Sequence, residues 1–278
     1  MKAWISTPAG GGLVSLPLIS AMDHGFTVGD GVFETLKTVG AKTFLLDAHL
    51  NRLKRSAEIL EITIPDLDTI KVAVFEVLAQ DEIREIPMGR IRITVSSGVG
   101  ELGSARGHGW SLVVIWSESH AWPESAKIII SDIARNERSP LSGAKTTSYA
   151  ENALALNRAK KAGASEAVLL NLKGNVCEGT GSNIFIVKNN VVITPPLSDG
   201  PLPGITRDAV IASIPASFRF SELSFTKQEL LSADEVFLTS STRDIQPVTK
   251  VNDTDFAIGP ITEQLIQTFK IWMDANNE

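Results

Sequence analysis

The sequence predicts an α+β fold of two domains, and three observations carry that prediction. At 278 residues the chain exceeds one typical domain. Strand-like and helix-like segments follow one another without the strict alternation that builds a doubly wound sheet. A polar stretch around Pro123, residues 117–125, separates two such mixed regions. The expected division is an N-terminal α+β domain over 1–118, a linker over 119–125 and a C-terminal domain over 126–278.

Near the start, the three glycines Gly10, Gly11 and Gly12 read as a turn. Residues 32–46 alternate around Gly40 and Ala41 as a hairpin does. Asp47 then stands where a helix cap is expected, and Leu50, Leu53, Ala57 and Leu60 recur at helical spacing. His49, Arg52 and Ser56 fall on the neighbouring stripe. A second helix is expected over 68–80, then a strand in which Ile91, Ile93 and Val95 alternate with Arg90, Arg92 and Thr94. Residues 110–116 read as a buried strand.

Past the linker, 127–130 and 166–171 read as strands flanking a helix over 148–162 that Gly163 ends. Turns are expected at Lys173, Gly174 and Asn175 and at Asn189 and Asn190. An amphipathic helix over 261–275 closes the chain.

Composition narrows the function. With 43% hydrophobic residues the chain can bury a substantial core, and a formal charge of −6 argues against a nucleic-acid partner. Cys177 is the single cysteine, so an intrachain disulfide and a cysteine zinc cluster are excluded, and no metal is expected. The N-terminal residues show no apolar leader, and the longest apolar runs are too short to span a bilayer. A cytoplasmic protein without a membrane partner is expected.

Three segments could carry chemistry. In LPGITRD, Gly204 permits close approach, and the amides of Ile205 and Thr206 open a helix whose N-terminus favours an anion. The hydroxyl run Thr239 to Thr242, with Arg243 next, follows an apolar strand into a turn. Lys145 follows Ser142, Gly143 and Ala144, and Glu178 lies in a glycine-rich turn between apolar strands. Each feature alone also fits a purely structural role. Periodicity does not select Lys145 over Lys42, Lys127 or Lys188.

Taken together, FTVGDGVFETLK, HLNRL, CEGTGSNIF, LPGITRD and STRDIQPV resemble, in order and over nearly the whole chain, the class IV pyridoxal-phosphate enzymes of fold type IV. These include branched-chain and D-amino-acid aminotransferases and aminodeoxychorismate lyases. The resemblance implies a small N-terminal α+β domain, a larger C-terminal pseudo-barrel and a homodimer. Pyridoxal 5'-phosphate would be held by Lys145 as an aldimine, with Lys145 also the catalytic base and acid. Glu178 would face the ring nitrogen, Tyr149 the phenolic oxygen, and Arg52, Gly204, Ile205, Thr206, Ser241 and Thr242 would line the rest of the cofactor, chiefly its phosphate.

The Tyr-x-Arg-Pro type signature of branched-chain enzymes is absent from GRIRITVSSG, and the usual carboxylate trap of D-amino-acid enzymes is not cleanly matched. Phe33, Arg90, Arg92, Arg106 and Arg243 are the candidates for contact with substrate. The leading expectation is an aminotransferase moving an amino group between a small amino acid, with the D configuration admitted, and a 2-oxo acid. The alternatives are 4-amino-4-deoxychorismate lyase, releasing pyruvate and 4-aminobenzoate, and a catalytically silent binder of the cofactor.

Overall fold

A computed structural model describes residues 2–15 and 18–276. The described residues form two compact units, those up to Ala121 with Ala144–Tyr149, and Trp122–Gly143 with Ala150–Asn276. Residues 144–149, expected in the C-terminal domain, thus belong with the first unit.

The first unit comprises β1 (Lys2–Thr7), β2 (Gly10–Val14), α1 (His24–Thr27), β3 (Gly31–Val39), β4 (Lys42–Thr43), α2 (Leu46–Leu60), α3 (Leu67–Leu78), α4 (Asp81–Arg84), β5 (Gly89–Ser96) and β6 (Ser111–Glu118). Its six strands form an antiparallel sheet in the order β2-β1-β6-β5-β3-β4. Side chains alternate across it. Val32 and Leu36 of β3, Ile91, Ile93 and Val95 of β5, and Leu112 and Val114 of β6 share one core with Leu50, Leu53 and Ala57 of α2 and Ile70, Val74 and Val77 of α3.

Two local expectations change here. Gly10, Gly11 and Gly12 are not a turn but the start of β2, opposite Thr7, Ser6 and Ile5. A Cβ on Gly11 would come 2.1 Å from Ser6 Cβ, so this pairing needs glycine there. Asp47 does not cap α2. Leu45, in the left-handed region, holds the cap position, and Asp47 pairs with Lys71 at 2.5 Å. α3 has the cap expected of an acidic residue, Asp66, whose side chain accepts from Thr69 N–H at 2.7 Å.

The second unit comprises β7 (Ala126–Ile130), α5 (Ala150–Lys161), β8 (Glu166–Leu170), β9 (Val176–Gly179), β10 (Asn183–Lys188), β11 (Val191–Thr194), α6 (Ile205–Ser213), β12 (Arg219–Glu222), α7 (Lys227–Leu231), β13 (Glu235–Ser240), β14 (Asp244–Val251), β15 (Thr254–Asp255) and α8 (Pro260–Ala275). Its strands run in the order β12-β11-β10-β13-β14-β7-β8-β9, with β15 on β14, in a sheet of mixed direction. Ile128, Val168, Ile184, Leu238 and Val248 lie in its core. Helix and strand are mixed within both units, the α+β class that the sequence predicts.

Candidate active site

Lys145 lies outside any helix or strand, on a segment that extends the first sheet. β4 is so short that it pairs only with Thr38 and Val39, at the far end of β3. The near end is taken by residues 145–147. Val32 bridges Thr146, Phe33 N–H donates to Lys145 O at 2.9 Å, and Thr147 N–H donates to Gly31 O at 2.8 Å. Lys145 N–H in turn donates to Ser56 Oγ of α2 at 3.0 Å.

With its main chain fixed on two sides, Lys145 brings its amine beside aromatic rings. Nζ lies 4.4 Å from the Phe33 ring centroid and 5.9 Å from that of Tyr149. The two rings meet edge to face at 5.3 Å. Arg92 stands opposite Thr35 in the β3–β5 register, so it reaches Phe33 along the diagonal and lays its guanidinium over the ring, Cζ 3.3 Å from the centroid. Burial pushes Arg92 down to about 10, partly offset by Tyr149 and Glu34, which leaves it a cation at neutral pH. Its Nε donates to Thr94 Oγ1 at 3.3 Å, and among the described residues no carboxylate pairs with it.

The opposite face of β3 holds a network that the sequence reading missed. Glu34 is fully buried and points at α2. Arg52 Nε and Nη2 donate to its two oxygens, each at 2.7 Å, and His49 Nδ1 donates to Oε2 at 2.7 Å. Burial alone would raise the Glu34 carboxyl, but the Arg52 charge and the hydrogen bonds from Arg52 and His49 hold it well below the usual carboxylate range. Burial lowers the His49 imidazole, and Arg52 and Lys145 add to that, against the upward pull of Glu34. The signal was present in the sequence: a glutamate at a core-facing position of β3, and His49, Arg52 and Ser56 spaced three and four apart on α2.

This network sets a pH dependence. A folded-state His49 below its ordinary 6.5 contributes stability that is complete above that pH and is lost as pH falls through the folded value. Glu34 adds a similar loss only below its ordinary 4.5. Between those limits, His49→Gln is therefore expected to flatten the fall of the melting temperature relative to wild type, as read by circular dichroism at stepped pH. Parallel profiles would contradict it.

In the second unit Glu178 sits on β9, opposite Leu169 of β8, not in a turn, and is 5% exposed. Arg135 donates to its Oε1 from Nη2 at 2.6 Å and from Nε at 3.0 Å, and Leu202 N–H donates to Oε2 at 2.9 Å. The carboxylate is thus aimed by three donors from two loops. Burial, with the charge of Glu178, pushes the Cys177 thiol up, which makes it a poor nucleophile. α6 begins at Gly204 with no side-chain cap, so the first-turn amides of Ile205 and Thr206 receive no oxygen from a cap. A Cβ on Gly204 would come 1.9 Å from Asn183 Oδ1, so the approach of α6 to β10 requires glycine. Thr239 Oγ1 is buried and has no partner among the described residues.

Ser241 and Thr242 occupy the turn between β13 and β14, where Thr242 Oγ1 accepts from Trp122 Nε1 at 3.3 Å. Arg243 is committed elsewhere: it stacks over Trp122, Cζ 3.7 Å from the centroid, and donates to Gln246 Oε1 and, at 3.4 Å, to Glu166 Oε2. Arg106 grips Asp30 at 2.7 and 2.8 Å and Glu61 O at 3.1 Å. Arg90 is exposed, with Nε donating to Ser117 Oγ at 3.3 Å. Within the first unit the structure therefore groups Phe33, Arg92, Lys145 and Tyr149. Within the second, Glu178 and the 241–243 turn are each held by their own partners, and α6 starts without a side-chain cap.

The first unit offers an amine beside aromatic rings, and the second offers a carboxylate aimed by an arginine and uncapped helix amides; each is a kind of group that would suit pyridoxal phosphate. The model of the family described as Amino-transferase class IV matches residues 31–251. A Methanocaldococcus jannaschii protein named as a branched-chain-amino-acid aminotransferase is 36% identical, over 91% of this chain and 90% of its own. The D-alanine aminotransferase of Bacillus licheniformis is 30% identical over 87% of each. The aminodeoxychorismate lyase of Bacillus subtilis is 29% identical over 86% and 83%.

Among solved structures, the Thermoproteus uzoniensis branched-chain aminotransferase with norvaline superposes with a TM-score of 0.89 at 27% identity, covering 99% of this chain and 96% of that one. A Mycobacterium tuberculosis aminotransferase called hypothetical, in its PLP-bound form, gives 0.86 at 26% identity, over 98% and 99%. The chain belongs to the class IV aminotransferase family, whose enzymes depend on pyridoxal phosphate. No helix among the described residues is long and apolar enough to cross a membrane.

Proposed function

We propose that this chain is an aminotransferase that moves an amino group between a small amino acid, with the D configuration admitted, and a 2-oxo acid. The observation that carries this reading is the cluster on one ring, Phe33, beside which stand the Lys145 amine and the Arg92 guanidinium. One group can move a proton and the other can hold a carboxylate. Pyridoxal phosphate, when bound, supplies an electron sink that makes the α-proton of an amino acid removable.

Lys145 would hold that group through Nζ, and the same amine would take the proton from the substrate α-carbon and return it across the shared nitrogen to the carbon of the group that keeps the amino nitrogen. Glu178, fixed by Arg135 and Leu202, would face the ring nitrogen, and the Tyr149 hydroxyl the phenolic oxygen. Arg52, the amides of Ile205 and Thr206 beyond Gly204, and the hydroxyls of Ser241 and Thr242 would hold the phosphate. Arg92 would bind a substrate carboxylate against Phe33. Arg106 pairs with Asp30 and Arg243 with Glu166, and exposed Arg90 has no burial to strengthen such a contact. The working form would be the homodimer that the family resemblance implies.

A half-reaction scan tests this reading: D-alanine and a panel of L-amino acids are each expected to be judged by 2-oxo acid released per bound cofactor, and at least one should give close to a single equivalent. Release of pyruvate and 4-aminobenzoate from 4-amino-4-deoxychorismate, with no 2-oxo acid from any amino acid, would favour the lyase, which the Bacillus subtilis relative supports. No product from either would leave the silent binder. For an active transaminase, Arg92→Leu is expected to raise KM for 2-oxoglutarate by roughly 10- to 100-fold with a smaller change in kcat, since a charged hydrogen bond is lost.

A further inference from the structure

Glu166 is a buried carboxylate that the proposed chemistry does not use. It opens β8, is 1% exposed, and every hydrogen-bond partner it has among the described residues is a donor. Oε1 accepts from Ala167 N–H at 3.0 Å, from Thr180 N–H at 3.0 Å and from Thr180 Oγ1. Oε2 accepts from Ser182 Oγ at 3.1 Å and from Arg243 Nη2 at 3.4 Å. Thr180 and Ser182 belong to the tight turn that leaves β9 directly after Glu178 and Gly179. Arg243 ends the turn that carries Ser241 and Thr242.

The surroundings leave little slack. A Cβ on Gly179 would come 2.2 Å from Ser182 Oγ and 3.2 Å from the Glu166 side chain. Thr180 O accepts from Asn152 Nδ2 of α5 at 2.8 Å, which ties the same turn to a helix. On the other side, Arg243 lies over the Trp122 ring and donates to Gln246 Oε1, and Gln246 Nε2 donates to Pro123 O at 2.7 Å. One carboxylate thus gathers two turns that lie about 60 residues apart in sequence, held by donors that leave its oxygens no freedom to rotate.

We propose that Glu166 is a positioning residue for the cofactor: it sets the spacing between the 180–182 turn that follows Glu178 and the Ser241–Thr242 turn, and so between the groups that would face the ring nitrogen and the phosphate. This rests on the reading that Glu178, Ser241 and Thr242 contact the cofactor. Glutamine at 166 cannot reproduce the site, because either orientation of its amide turns an NH2 group toward a donor. Thr180→Val removes one donor while keeping the shape of the side chain.

The test is titration of apo-protein with pyridoxal 5'-phosphate, read by the quenching of tryptophan fluorescence and by the absorption maximum of the bound cofactor, for wild type, Glu166→Gln, Thr180→Val and Glu178→Gln. Both Glu166→Gln and Thr180→Val are expected to weaken binding by about tenfold or more and to shift the maximum, since small displacements of positioned groups are costly. Circular dichroism of each apo-variant at the titration temperature establishes that it is folded, and Thr180→Val decides if Glu166→Gln is not. Variants that melt earlier yet bind with unchanged affinity and spectrum would overturn the proposal, leaving Glu166 a purely structural residue. If Glu178→Gln also changes neither, the assignment of the cofactor contacts fails; if it changes both while the other two do not, only the role of Glu166 fails.

Discussion

Lys145→Ala is expected to lower turnover by about 10⁴-fold, because in the proposed function one amine would both hold the cofactor and move the proton. The fold should survive the change. It is the main chain of Lys145 that is anchored, through its N–H to Ser56 Oγ and its carbonyl to Phe33 N–H, and alanine keeps both bonds. Far-ultraviolet circular dichroism should therefore match wild type while steady-state kcat collapses, and an added small primary amine should restore part of the rate. A variant that keeps turnover within tenfold of wild type would move the chemistry to another lysine.

Glu178→Gln is expected to cost roughly 10²- to 10³-fold in kcat, the scale of losing a fixed charge aimed at the reacting system. The reason lies in its three donors. Arg135 and Leu202 N–H occupy both carboxylate oxygens, so a glutamine amide must present its NH2 to one of them whichever way it turns. The side chain would be displaced as well as discharged, and the absorption maximum of the bound cofactor should move with kcat. Equal kcat and an unmoved spectrum in the variant would contradict the role given to Glu178.

What the residues revealed in advance follows the range over which each feature is determined. The alternation of Ile91, Ile93 and Val95 with Arg90, Arg92 and Thr94 is local, and it put Arg92 on the right face of β5. The stripe Leu50, Leu53, Ala57 is likewise local, and it marked the buried face of α2. Lys145 was different. Its place depends on β4 ending after two residues and leaving an edge of β3 more than a hundred residues earlier in the chain, which no window of sequence displays.

Buried charge misled in both directions. Glu178 looked like part of a glycine-rich turn because the register of β9 on β8 is invisible locally, and Glu34 passed unremarked because His49 was read as the edge of a helix stripe and Arg52 as that edge and as a phosphate ligand, neither as a partner for β3. Arg243 looked available at the mouth of a hydroxyl-rich turn, yet Trp122, Gln246 and Glu166 engage it from three segments. The roles given to Lys145 and Glu178 came from resemblance, and the geometry supplies physical reasons why each could perform its part.

The most direct measurement is to load the purified protein with pyridoxal 5'-phosphate, reduce with borohydride, digest and map the modified peptide by mass spectrometry. The cofactor mass is expected once per chain, on Lys145 in the peptide that continues TTSYAENALALNR. Its absence, or its presence on Lys42, Lys127, Lys188 or any other lysine in place of Lys145, would contradict the assignment on which the proposed function rests.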